Sequence, residues 1–273
     1  MSSTLEAVLR RDRAIVIAAL VIITGLAWVD IIWLARDMAM DGMDMTGFRM
    51  IPAGQGLMMP ADAPWQPLEF AYVFAMWAVM MIGMMTPSVA PMILMYARVG
   101  RHAVVSGQQF AASGWFACGY LAAWVGFSIL ATSAQWALER AALLTPMMES
   151  ASGVLGAIVL IAAGVYQWTP VKEACLSYCQ APLNFIMRHG GFRADASGAF
   201  TLGVRHGFYC IGCCWALMLL LFVGGVMNVL WIAALSGLVL LEKLLPFGKI
   251  LSRVAGCAFI AGGAWLLFTD SGL

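Results

Sequence analysis

Apolar residues in this chain run in long blocks rather than alternating with polar ones, and short polar stretches separate the blocks. Read against the roughly 20 residues that a helix needs to cross a hydrocarbon core about 30 Å thick, seven candidate helices emerge. They cover residues 14–35, 69–97, 110–138, 152–169, 208–227, 229–245 and 254–269. The fifth and sixth are joined tightly at Asn228. The pattern predicts an all-α, polytopic helical membrane protein with about seven transmembrane helices, forming a single integral membrane domain over residues 1–273.

Composition agrees. Hydrophobic residues make up 63% of the chain and charged residues 11%, more apolar surface than a water-soluble fold can bury. The net charge of +1 leaves no basic field for nucleic acid, so membrane lipid is the expected partner. Arg10, Arg11 and Arg13 precede the first block, which has no small-residue cleavage site and reads as a retained helix. Short loops rich in Lys and Arg stay in the cytoplasm. A seven-helix count puts the amino terminus there, with Arg98, Arg101, Lys172, Arg188, Arg193, Arg205, Lys243, Lys249 and Arg253. The opposite side receives the long loop 36–68 and a short loop around Glu139 and Glu149. In a bacterium the expected location is the inner (cytoplasmic) membrane, with the long loop in the periplasm.

Chemistry concentrates after the fourth block. Cys175 and Cys179 lie in KEACLSYCQAP, and Cys210, Cys213 and Cys214 in RHGFYCIGCCW, with His206 four residues earlier. In a helix Cys175 and Cys179 share a face, and His206, Cys210 and Cys213 fall within one stripe. Thiolates and an imidazole on facing helices suit Cu(I), with Zn(II) the alternative; Cys214 is a further ligand or a spare. Packing is the plain alternative, since free cysteine behaves as a small hydrophobe, and this is the reading for Cys118 and Cys257. Cys210 and Cys213 also form a C-x-x-C pair suited to thiol redox chemistry.

Methionine gives the second signal. The outer loop begins with Met38, Met40, Met43 and Met45 interleaved with Asp37, Asp41 and Asp44, a pattern suited to collecting a soft cation through thioethers that do not protonate. In the second block Met76, Met80 and Met84 form one stripe, while Met81, Met85 and Met92 lie on another face. The first is a candidate metal route; ordinary packing by a flexible apolar residue is the alternative. Pro87 and Pro91 remove amide donors there and free carbonyls that can meet a cavity. Asp30 is a cation ligand or an interfacial residue, and Glu242 with Lys243 reads as a helix-end anchor. Tyr166 and Gln167 could donate supporting hydrogen bonds to a nearby site.

No P-loop, dinucleotide fingerprint or G-x-S-x-G elbow is present, so nothing supports nucleotide-driven pumping or serine hydrolysis. The motifs W-A-V-M-M-I-G-M-M-T-P from Trp77 to Pro87, Tyr166 to Pro170 with Lys172, Cys175 and Cys179, Gly207 to Met218, and Glu242, Lys243 and Pro246 resemble the bacterial DUF2182 family. The resemblance covers most of the chain from the second helix onward. It implies an integral membrane protein with metal binding, and a small soluble DUF1326-type protein as partner; it implies little about a reaction.

The expected function is therefore the handling or transport of a soft metal ion, copper before zinc, through Met and Cys/His ligands. The alternatives are a metal-dependent redox enzyme or enzyme subunit, a thiol redox protein, and a structural zinc site. Whether the two cysteine clusters meet depends on the fold of residues 180–205, where Pro182, Gly190 and Gly191 fall.

Overall fold

The computed structural model describes residues 2–38, 47–54, 57–105, 111–145 and 148–270. Helix α1 (Ser2–Met38) leads into the strands β1 (Phe48–Met50) and β2 (Met58–Pro60), which pair antiparallel with Arg49 opposite Met59. Then follow α2 (Pro67–Val105), α3 (Ser113–Arg140), α4 (Gly153–Tyr166), α5 (Pro170–Gln180), α6 (Pro182–Arg188), α7 (Ala196–Leu219), α8 (Leu221–Gly224), α9 (Val229–Leu244) and α10 (Gly248–Asp270).

Each predicted block holds a helix over most of its described length, with residues 225–227 a turn instead. Five helices are long and apolar enough to cross a membrane, or six if the pair α4 and α5, bent by 64°, is one span. The shortfall from seven has a physical cause: α9 has 16 residues, which at 1.5 Å per residue reach about 24 Å. These helices are consistent with a multi-pass membrane protein.

Two further departures matter for the site. The fifth predicted helix begins at Ala196 rather than at residue 208. Its first half, ASGAFTLGVRHG, mixes glycine with Arg205 and His206 and so looks too polar for a span. It is helical because Asp195 caps it, accepting from the Gly198 amide at 2.6 Å, and because its glycines pack on α3. A Cβ at Gly203 would run into the Phe116 carbonyl, and one at Gly119 into that of Phe200, so the two backbones touch as small residues permit. Cys210 therefore lies near mid-length of its helix rather than at the start.

Residues 170–180 and 182–188 form two short helices, and the second of them takes up part of the 180–205 connection. Pro170 ends the α4 direction because it offers no amide, and Thr169 starts α5 by accepting from the Lys172 amide at 3.3 Å. The turn at Asn228 is as tight as expected; its side chain caps α9 by accepting from the Trp231 amide at 3.2 Å.

The hairpin marks one end of the bundle. Arg49 donates to Glu69 at 2.6 and 2.9 Å and to the carbonyls of Pro60, Ala61 and Ala63. The bond to Glu69 raises the Arg49 pKa above its ordinary value, so the folded state keeps this contribution up to strongly alkaline pH. Nearby, Trp65 donates to Glu139 at 3.0 Å, so the two loops expected to share a side do meet. Replacing Arg49 by methionine strands the buried Glu69 carboxylate and is expected to cost about 3 kcal/mol. Thermal unfolding of the purified chain measures it, and an unchanged midpoint would show that the clasp is dispensable.

Lys172, counted above among the charges of the cytoplasmic side, and Lys243, read above with Glu242 as a helix-end anchor, are both buried. Lys172 pairs with Glu242 at 2.7 Å. An ammonium is tolerated inside a bundle when a paired group compensates it, and both lysines have one.

Candidate metal centre

The 64° bend between α4 and α5 lays α5 against the middle of α7. Cys175 and Cys179, one turn apart, share the face that meets it. Cys179 Sγ lies 4.0 Å from Cys213 Sγ. Cys175 lies over Gly212, where an added Cβ would come within 2.8 Å of its sulfur and would have to push that side chain aside. Tyr166 donates to the Gly212 carbonyl, holding the Cys-rich turn of α7 against the end of α4. Gln167 does something else: it accepts from Ser252 on α10 at 2.9 Å.

The clusters therefore converge. A thiolate sulfur sits about 2.3 Å from its metal, so two sulfurs up to about 4.6 Å apart can share one ion. Cys179 and Cys213 meet that condition. Cys213 and Cys214 each also donate to the Cys210 carbonyl, at 3.0 and 2.9 Å. Among the described residues no group of three or more His, Cys, Asp or Glu side chains stands preformed around one ion position.

His206 lies one turn before Cys210 in a box of aromatic rings, with centroids 4.9 Å away at Phe185, 5.8 Å at Tyr120 and 5.9 Å at Phe116. It is buried, and its Nδ1 has no hydrogen-bond partner. A buried ring nitrogen without a partner is an available donor. Cys118 and Cys257 are exposed and lie apart from the centre.

Three residues of the centre escaped sequence reasoning. Lys243 Nζ lies 2.8 Å from Cys210 Sγ and 3.1 Å from Ser88 Oγ. Tyr120 Oη lies 3.0 Å from the same sulfur and donates to the Met85 carbonyl at 3.3 Å. The available signal was Ser88 itself, which continues the stripe of Met76, Met80 and Met84 at the same four-residue spacing.

Met76, Met80 and Met84 are buried, as are Met81, Met85 and Met92. Both prolines lie inside α2 without ending it. Hydroxyls from neighbouring helices reach two carbonyls in the turn before Pro87: Tyr120 bonds Met85, and Ser236 bonds Met84 at 3.3 Å. Of the outer-loop thioethers, Met38 is fully buried at the end of α1; Met40, Met43 and Met45 lie outside the described residues.

Residues 74–266 match the model of a family, PpoB2, described as a copper chaperone. All the motifs that carry the sequence resemblance fall inside that span. No curated protein and no solved structure matches the chain.

Proposed function

The chain belongs to the PpoB2 copper chaperone family, and from that premise we propose that it handles Cu(I) on the thiols where α5 meets α7. The observation that carries this reading is the 4.0 Å separation of Cys179 and Cys213 across two helices, which two sulfurs sharing a soft ion require. Cys175, Cys210, Cys214 and His206 are the further donors of this reading. They permit the ion to pass between nearly equivalent ligands instead of being trapped.

In this reading the ion arrives from the hairpin end. Met38, Met40, Met43 and Met45 collect it, and Met76, Met80 and Met84 pass it along α2 toward the thiols of α7. The bundle lies in a bacterial inner membrane with the amino terminus in the cytoplasm, and a small soluble DUF1326-type protein is the partner for exchange.

Elemental analysis of the purified full chain after anaerobic loading with Cu(I) tests the reading; about one copper per chain is expected, and a chain that retains none contradicts it. Replacing Met80 and Met84 by leucine keeps the volume and removes the sulfur. Loading from the hairpin side of proteoliposomes should slow while the final copper content stays the same. Unchanged loading would remove α2 from the route.

A further inference from the structure

The methionine stripe does not run directly into the thiols, because Lys243 stands between them. Its ammonium contacts Ser88, the last member of the stripe, and Cys210, the first sulfur beyond it. The side chain is buried, and an ammonium in such a place requires a compensating group. Neighbouring Glu242 turns its Oε2 to Lys172 at 2.7 Å, so the direct contacts of the Lys243 ammonium are to Ser88 and Cys210. The compensating atom is the Cys210 sulfur. A cation leaving Met84 thus meets a position already filled by a positive charge.

We infer that Lys243 is the resident occupant of the cation position at Cys210, and that Cu(I) engages this sulfur by displacing it. This rests on the copper-handling reading above and adds the residue that sets its selectivity. At the sulfur one cation contact replaces another: the Cys210 thiolate gives up its contact with the ammonium and bonds to Cu(I), Nζ keeps its protons and its contact with Ser88, and the site gains the ion's single positive charge.

Two consequences follow from the geometry. An ion that gains little from sulfur, such as Na⁺ or Mg²⁺, cannot repay the loss of the ammonium contact, whereas a thiophilic ion can. Because Lys243 is tethered beside the site, it competes for the sulfur at high effective concentration and favours release. A protein that must hand its ion on needs such a competitor.

The test is Cu(I) affinity and release rate, measured anaerobically on the purified full chain against a chromophoric Cu(I) chelator. The variants are Lys243→Leu, which removes charge without adding a donor, and Lys243→Gln, which removes charge but keeps polar contacts. Both should bind Cu(I) tighter by about tenfold or more and release it more slowly, since a like charge a few ångströms away is gone. Lys243→Arg, which keeps a cation, should not tighten. A merely structural lysine would give the opposite sign, because a damaged site binds more weakly. Weaker or unchanged binding in the neutral variants, with wild type binding normally, overturns the role of Lys243 alone. If wild type itself fails to bind Cu(I), the copper reading falls, and this inference with it.

Discussion

Lys172→Met is expected to destabilise the purified chain by about 3–5 kcal/mol, because it leaves the Glu242 carboxylate buried without its cation. Lys172 Nζ and Glu242 Oε2 are 2.7 Å apart, and both side chains are 1% exposed. Oε1 of the same carboxylate already has no hydrogen-bond partner, so the lysine is its main compensation. The pair joins the first turn of α5 to the end of α9, and Gln180 adds a second tie, donating to the Glu242 carbonyl at 2.7 Å. Loss of the pair should therefore loosen α5, the element that carries Cys175 and Cys179, and copper retention should fall together with the thermal midpoint. The double variant Lys172→Met, Glu242→Leu removes both charges and keeps the volume; it should recover most of the stability. A single variant that melts like the wild type would show that this pair does not hold α5 in place.

Much of the fold was legible because it rests on one strong signal, apolar length. The blocks at 69–97, 110–138 and 229–245 were located to within a few residues, apart from the continuation of α2 to Val105. What escaped was helix stabilised by something other than apolarity. The first half of α7 depends on an Asp195 cap and on glycines pressed against α3, and both act through partners that a hydropathy reading does not contain. α5 is short and polar, and its direction is set by Thr169 and Pro170. The site divides in the same way. The i and i+4 spacing showed that Cys175 and Cys179 share a face, but only the bend at Pro170 determines that this face meets Cys213. Lys243 sits at a helix end, where lysine normally reaches water. Leu240 and Leu241 before the Glu242–Lys243 pair and Leu244 and Leu245 after it were the cue that this end lies among apolar neighbours.

The second large effect concerns the thiol pair. Cys179→Ser with Cys213→Ser is expected to abolish copper retention, from about one ion per chain to essentially none. Serine keeps nearly the same volume but offers a hard oxygen, a poor ligand for Cu(I) at neutral pH. The fold should survive: within its own helix Cys213 donates to the Cys210 carbonyl, a bond that a hydroxyl also makes, as Ser128 does to Trp124 at 3.0 Å. Cys118→Ser with Cys257→Ser, on exposed positions away from the centre, is the control and should retain copper in full. If the Cys179 and Cys213 variant keeps its copper while the chain stays folded, the ion is held elsewhere and the pair at 4.0 Å is a packing contact.

Whether sulfur from α5 and α7 holds Cu(I) is answered most directly by X-ray absorption at the copper edge on the loaded full chain. The expected spectrum is that of Cu(I) with two or more sulfur neighbours at about 2.3 Å, reduced in the Cys179→Ser single variant. A copper shell of nitrogen and oxygen alone, or a sulfur shell unchanged by that substitution, would contradict the account.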